Sequence, residues 1–150
     1  MNVLFVCTGN TCRSFMAEAI LKTMLKDKGV DHIKVASAGI AAMSGSAASR
    51  NAVRVLENKG VDQADHQASR LDTHMIRGAD LILTMTRDHK NAILSVEPSI
   101  LSKTHTLKEY AGMTDEDIGD PFGGSEAVYK DSMAEIQDLL QKILPKLLLK

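Results

Sequence analysis

The sequence predicts a small doubly wound α/β domain, with a central parallel sheet of about four strands and helices on both faces. Three observations carry the prediction. The chain has 150 residues, the size of one ordinary domain. Short apolar runs of strand length alternate along it with amphipathic stretches of helical period. No internal repeat, linker or low-complexity segment breaks the alternation, so residues 1–150 are expected to form a single domain.

Asn2 to Val6 is a continuous apolar run of Val, Leu and Phe, the pattern of a strand buried on both faces. From Ser14 to Lys28 the residues Met16, Ala19, Ile20, Thr23 and Met24 recur at helical spacing, and Gly29 stands where a left-handed cap is expected. Ile33 to Ala38 is a second strand, which completes a right-handed βαβ unit. Ala47 to Lys59 has a helical pattern closed by Gly60, and Asp80 to Met85 is a third buried strand. Arg87 to Ser95 is helical, and Thr104 to Leu107 is a fourth, weaker strand. The last helix begins near Ser125, whose hydroxyl can cap it. It carries Ile136, Leu139, Leu140, Ile143, Leu144, Leu147 and Leu148 on one face. Pro145 should kink this helix or end its regular part. Between Ala111 and Gly124 the acidic, glycine-rich AGMTDEDIGDPFGG has no periodicity, which suits either a functional loop or a tolerated surface insertion. The whole is a Rossmann-like arrangement.

Composition removes several classes. A formal net charge of -1 lacks the basic footprint of a non-specific nucleic-acid binder, and two Tyr, three Phe and no Trp cannot build a base-stacking platform. No nucleic-acid partner is expected. Cys7 and Cys12 cannot form the disulfide framework of a small secreted protein, and their spacing, without a second Cys or His pair, is poor for zinc. No metal or other cofactor is expected. The N-terminal MNVLFVCTGN has no basic segment before its apolar run, so it does not read as a signal peptide. Gln137, Asp138, Gln141, Lys142 and Lys146 interrupt the apolar tail well short of the ~20 residues that span a bilayer. A cytoplasmic monomer away from membranes is the expectation.

The chemistry lies directly after the first strand, in Cys7-Thr8-Gly9-Asn10-Thr11-Cys12-Arg13-Ser14. That is where an α/β sheet binds ligands. Cys7 and Arg13 enclose five residues, a spacing that lets a short loop curl around one tetrahedral anion with its backbone N–H groups pointing inward. Gly9 and Asn10 tolerate the positive φ such a loop needs. Arg13 supplies a planar fork for two phosphate oxygens, and the helix N-terminus adds partial positive charge. This field favours the thiolate of Cys7 and makes it a candidate nucleophile, with Ser14 able to donate a hydrogen bond to its sulfur. Taken singly, each residue has a plainer role: a small core side chain, a solvated first-turn arginine, a helix cap. Together they are hard to produce by packing needs alone.

Val6 to Ser14 resembles the V-C-x-G-N-x-C-R-S loop of the low-molecular-weight protein tyrosine phosphatases, and the resemblance covers essentially the whole chain. Met16-Ala17-Glu18-Ala19 continues that signature, Ser37-Ala38-Gly39 is similar to the end of the family's second strand, and Asp120-Pro121 is similar to its late general-acid motif. The resemblance implies that Cys7 attacks phosphorus and that Arg13 binds the phosphoryl group with the loop residues Thr8, Gly9, Asn10, Thr11, Cys12 and Ser14. It implies that Asp120 protonates the leaving group and then activates water, releasing inorganic phosphate from phosphorylated protein substrates. Asn10, Ser37 and His66 would brace the loop. An Asp before Pro is ordinarily a turn residue, and a lone His near a strand end is ordinarily structural.

Two positions depart from the tyrosine-specific pattern. Thr11 replaces an aliphatic residue, and Asp120-Pro121 is followed by Phe122-Gly123-Gly124 in place of two aromatics that could sandwich a phenol. Both, with Leu107-Lys108-Glu109-Tyr110, resemble the bacterial protein arginine phosphatase branch. A threonine hydroxyl suits a polar guanidinium that an isoleucine would leave unsatisfied. A tyrosine phosphatase of the same family is the alternative. An arsenate reductase would need further downstream cysteines, and none follows Cys12. A phosphocysteine phosphocarrier would need no Asp120, and a non-catalytic anion-binding module would bind phosphate regardless of thiol alkylation. Phe15 stands where the family usually has proline, with a looser first turn or a narrower pocket rim as the expected consequence. Cys12 could trap an oxidised Cys7 as a disulfide, so inactivation by peroxide should be reversed by reductant.

Overall fold

The computed structural model describes residues 1–114 and 117–150. Four parallel strands form one sheet in the order β2-β1-β3-β4: β1 Asn2–Cys7, β2 Lys34–Gly39, β3 Leu81–Thr84 and β4 Thr104–Thr106. The helices are α1 Arg13–Asp27, α2 Arg50–Glu57, α3 Thr73–Gly78, α4 Arg87–Val96, α5 Leu107–Tyr110 and α6 Glu126–Leu148, with a 3-10 turn at Pro98–Lys103. This is the expected α/β arrangement.

The period-2 alternation of β1 divides the core. Val3, Phe5 and Cys7 join Leu81 and Leu83 under α1, α2 and α6, while Leu4, Val6 and Ile82 pack against Ile76, Ile93 and Ile100 on the other face. Both faces of β1 are therefore dry, as its unbroken apolar run requires. The chain moves from β1 outward to β2 and then returns to β3 on the other flank of β1. The C-terminal end of β1 is thus a topological switch point, where a crevice must open.

Helices α1 and α2 close in the same way. Val30 N–H donates to the Leu25 carbonyl and Gly29 N–H to that of Lys26, with Gly29 at φ 68°. Val61 N–H donates to Leu56 and Gly60 N–H to Glu57, with Gly60 at φ 78°. Ser125 caps α6 as expected, its hydroxyl accepting from Val128 N–H at 3.3 Å.

The structure departs from the expected elements at several points. α2 starts at Arg50, because Ala47 pairs as an isolated bridge with Gln67. Leu107 opens α5 where a strand was expected, since Thr106 and Glu109 form a capping box that turns the backbone there. Pro145 does not end α6, which runs on to Leu148. Leu148 is 37% exposed and stands apart from the buried Leu147. Asp115 and Glu116 of the expected acidic loop lie outside the described residues.

Candidate active site

The segment leaving β1 curls at the switch point and re-enters helix at Arg13. Asn10 supplies the left-handed turn, at φ 59°; Gly9, expected to share this task, does not have positive φ. Gly39, at the end of β2, is pressed against the curl: a Cβ there would sit 2.5 Å from the Thr8 carbonyl oxygen and 2.9 Å from the Asn10 nitrogen. Only glycine lets β2 lie this close to the loop.

Asn10 is fully buried and uses every polar atom of its side chain. Nδ2 donates to Ser14 Oγ and to Ser37 Oγ, both at 2.8 Å, while Oδ1 accepts from Ser69 N–H at 2.9 Å. These bonds set the direction of their neighbours. Ser37 donates to the Glu18 carboxylate at 2.5 Å, and Glu18 is paired with Lys22. Ser14 Oγ, already an acceptor from Asn10, turns its hydrogen to Cys7 Sγ, 2.8 Å away. Asn10 N–H also points at that sulfur, at 3.3 Å. Cys7 is thereby held by two donors suited to a thiolate.

His66 Nε2 lies 2.8 Å from the Asn10 carbonyl oxygen, so Nε2 carries the proton and donates. Its ring packs on Phe15 at a centroid distance of 4.3 Å. This corrects both expectations for Phe15. It is 1% exposed beneath the loop, away from the residues that line the cleft, and the first turn of α1 is closed by Met16 N–H to the Cys12 carbonyl at 2.9 Å.

Arg13 is 5% exposed. Its Nη1 donates to the Ile118 carbonyl at 2.9 Å and its Nη2 lies 3.5 Å from Asp120 Oδ2. Ile118 N–H in turn donates to the Met85 carbonyl, just past β3, which fastens the acid-bearing loop to the sheet. Asp120 itself is half-exposed and accepts from Phe122 N–H at 3.1 Å through Oδ1. Cys7, Thr8, Gly9, Thr11, Cys12, Arg13, Asp120 and Phe122 line one cleft of about 220 Å³. The remaining expected residues, Asn10, Ser14, Ser37 and His66, form the layer behind it. No group of three or more His, Cys, Asp or Glu side chains able to hold a metal ion occurs among the described residues.

Three supports escaped the sequence reading. His89, in the first turn of α4, reaches Thr8 Oγ1 through Nε2 at 2.9 Å. Burial, and secondarily the Arg13 charge, hold its pKa down at about 4, so it is neutral. Tyr129 of α6 meets Cys12 Sγ at 3.2 Å and accepts from Ser49 at 3.0 Å; its phenol is pushed up to about 12, chiefly by burial. Neither cysteine is in a disulfide. The third is the Ile118 carbonyl, a backbone group with no sequence signature. His89 had one available sign: it follows β3, the strand beside β1, at the same end of the sheet.

Residues 2–150 match the family model described as low molecular weight phosphotyrosine protein phosphatase. The chain belongs to this family. It is 43% identical to a protein-arginine-phosphatase of Geobacillus stearothermophilus, over 97% of this chain and 95% of that one. It is 41% identical to the low molecular weight protein-tyrosine-phosphatase PtpB of Staphylococcus epidermidis, over 95% and 96%. Among solved structures it superposes on the YwlE arginine phosphatase in a cysteine-to-serine mutant whose active-site serine is phosphorylated. The TM-score there is 0.93 at 39% identity, covering 98% of this chain and 95% of that one. The two chains thus share this fold over nearly their whole length.

Proposed function

We propose that this chain, one phosphatase domain over residues 1–150, hydrolyses phosphoarginine in proteins through a phosphocysteine intermediate. The phosphoryl group sits in the curl of residues 7–14, on the loop amides and the Arg13 guanidinium. Cys7 Sγ attacks phosphorus; the S–P bond forms as the P–N bond breaks, and Asp120 gives its proton to the departing guanidine nitrogen. Asp120 then takes a proton from water, the water oxygen bonds to phosphorus, and the S–P bond breaks to return the thiolate and release inorganic phosphate. Ser14 donates to that sulfur in both steps. A phosphorylated serine in the superposed YwlE mutant supports transfer to this loop position.

Thr11 carries the choice of substrate. It lines the cleft together with one aromatic, Phe122, which is followed by glycines at 123 and 124. A hydroxyl and a single exposed ring in the cleft lining suit a planar polar guanidinium better than a phenyl group needing two apolar faces. Relatives named protein-arginine-phosphatase support this reading. The relative named a tyrosine phosphatase at 41% identity favours phosphotyrosine as the second reading. Matched phosphoarginine and phosphotyrosine peptides decide between them: kcat/KM should be higher on phosphoarginine, and the reverse order overturns the assignment. No helix among the described residues is long and apolar enough to cross a membrane. A cytoplasmic monomer acting on protein substrates completes the proposal, and light scattering of the purified chain tests the monomer.

A further inference from the structure

Thr8 follows the nucleophile directly, and its side chain is held from α4 and not from the loop. His89 is 7% exposed, with Nε2 2.9 Å from Thr8 Oγ1 and Nδ1 buried without a hydrogen-bond partner among the described residues. A neutral imidazole carries one ring proton, and these two environments decide where it sits. On Nδ1 it would be a buried donor facing no acceptor. On Nε2 it donates to Thr8 and leaves only a lone pair at Nδ1. Orphaned buried N–H groups are rarer and costlier than under-used acceptors, so the proton belongs on Nε2.

Thr8 Oγ1 then accepts from His89 and cannot donate back to it. The Thr8 side chain makes no other hydrogen bond among the described residues, and it lines the cleft beside Cys7, Arg13 and Asp120. Its hydroxyl hydrogen is left for whatever occupies that cleft. We propose that His89 is a positioning residue that orients the Thr8 hydroxyl as a donor to an oxygen of the bound phosphoryl group. The proposal rests on the phosphatase reading and adds to it a side-chain donor that neither the loop amides nor Arg13 supplies. The neutrality of His89 fits it, because an imidazolium would place a second buried N–H, and a second positive charge, next to Arg13.

Side-chain ¹⁵N spectra of the whole protein report which nitrogen is protonated. The Nε2–H pattern is expected, and an Nδ1–H imidazole overturns the proposal. Thr8→Val should weaken inorganic phosphate binding and lower kcat/KM about tenfold, the scale of one hydrogen bond to a charged group, with Thr8→Ser recovering most of it. Unchanged phosphate affinity in Thr8→Val overturns the proposal as well. His89→Met should cost a similar factor in the parent and nothing further in the Thr8→Val background, because it acts through that hydroxyl alone. An equal loss in both backgrounds would make His89 a merely structural residue. His89→Gln, which places an amide donor near the Nε2 position, should restore the greater part. If the parent binds phosphate but hydrolyses no phosphorylated peptide, the phosphatase reading fails, while the tautomer and phosphate-affinity measurements still decide the role of the pair.

Discussion

The loop at residues 7–14 and the segment at 117–124 both line one cleft but are built in opposite ways. In the first, Asn10, Ser14 and Cys7 are buried, and each hydrogen bond fixes the direction of the next from Glu18 through Ser37 and Asn10 to the sulfur. In the second, Ile118 is the anchor at 1% exposed, while Asp120 is half-exposed and Phe122 is 75% exposed. The contrast separates two tasks. Binding a tetrahedral anion and holding a thiolate need preorganised donors that do not reorient during reaction. Delivering a proton and choosing a leaving group need side chains that meet substrates of varied shape. Sequence change in the second segment is therefore cheap in stability, and change in the first is not.

The largest effect tests the first region at its centre. Cys7→Ser should remove turnover, by roughly 10⁴-fold or more, while leaving inorganic phosphate affinity within a small factor, because the amides and Arg13 remain. Turnover that survives would end the covalent mechanism. Next, Asn10→Ala and Asp120→Ala set the two regions against each other. The Asn10 change strands Ser14, Ser37 and the Ser69 N–H and puts alanine at φ 59°. A loss of about 2–4 kcal/mol in denaturant unfolding is expected, with turnover reduced as well. Asp120→Ala should leave unfolding unchanged within ~0.5 kcal/mol, as for other exposed positions. Turnover of poor leaving groups should fall about 10²-fold, and far less on activated aryl phosphates that depart without a proton. Equal stability losses in the two variants would erase the distinction between the regions.

What could be read from the sequence follows the same division. The β1 run, the two glycine-closed helices and the Cys7 to Ser14 spacing announce the sheet and the anion loop, because local rules dictate them. Asp120, Ser37 and His66 became visible only through resemblance, since no local rule brings residues so far along the chain to one loop. α3 is six residues long and too short to show a period, and α5 hid its capping box at the end of an expected strand. His89 and Tyr129 went unread for a different reason. Each sits on a helix face that looks ordinary, and its partners are side chains far along the chain that only the tertiary fold brings near.

Thr11 belongs to the first region and lines the cleft together with Asp120 and Phe122 of the second, and changing it sharpens the comparison. Its carbonyl accepts from Ser49 N–H at 3.0 Å, which holds the backbone whatever the side chain, while among the described residues its hydroxyl has only a long 3.7 Å contact with Cys12 Sγ. Thr11→Ile should therefore alter the cleft wall without disturbing the loop. The ratio of kcat/KM on phosphotyrosine to that on phosphoarginine should rise roughly ten- to a hundredfold, the cost of about 1–3 kcal/mol for a polar group left unpartnered. An unchanged ratio would take substrate choice away from Thr11.

The smallest effect concerns the support behind the loop rather than the cleft. His89 is held neutral in the folded chain, its pKa lowered to about 4 by burial first and the Arg13 charge second, against the opposing pull of Asp117, Asp88 and Asp120. In the unfolded chain it titrates near the ordinary value of about 6.5. Between these values the unfolded state binds a proton that the folded state refuses. The stabilising contribution is therefore complete above pH 6.5 and is lost as pH falls from 6.5 toward 4. Thermal unfolding of the parent and of His89→Gln from pH 7 to 4.5 should show the parent losing stability more steeply, by at most about 1.4 kcal/mol per pH unit at this one site. Carboxylates elsewhere titrate in both proteins and cancel in the difference. Parallel pH profiles would mean that His89 takes its proton in the folded chain, which the crowded side of the loop next to Arg13 should not permit.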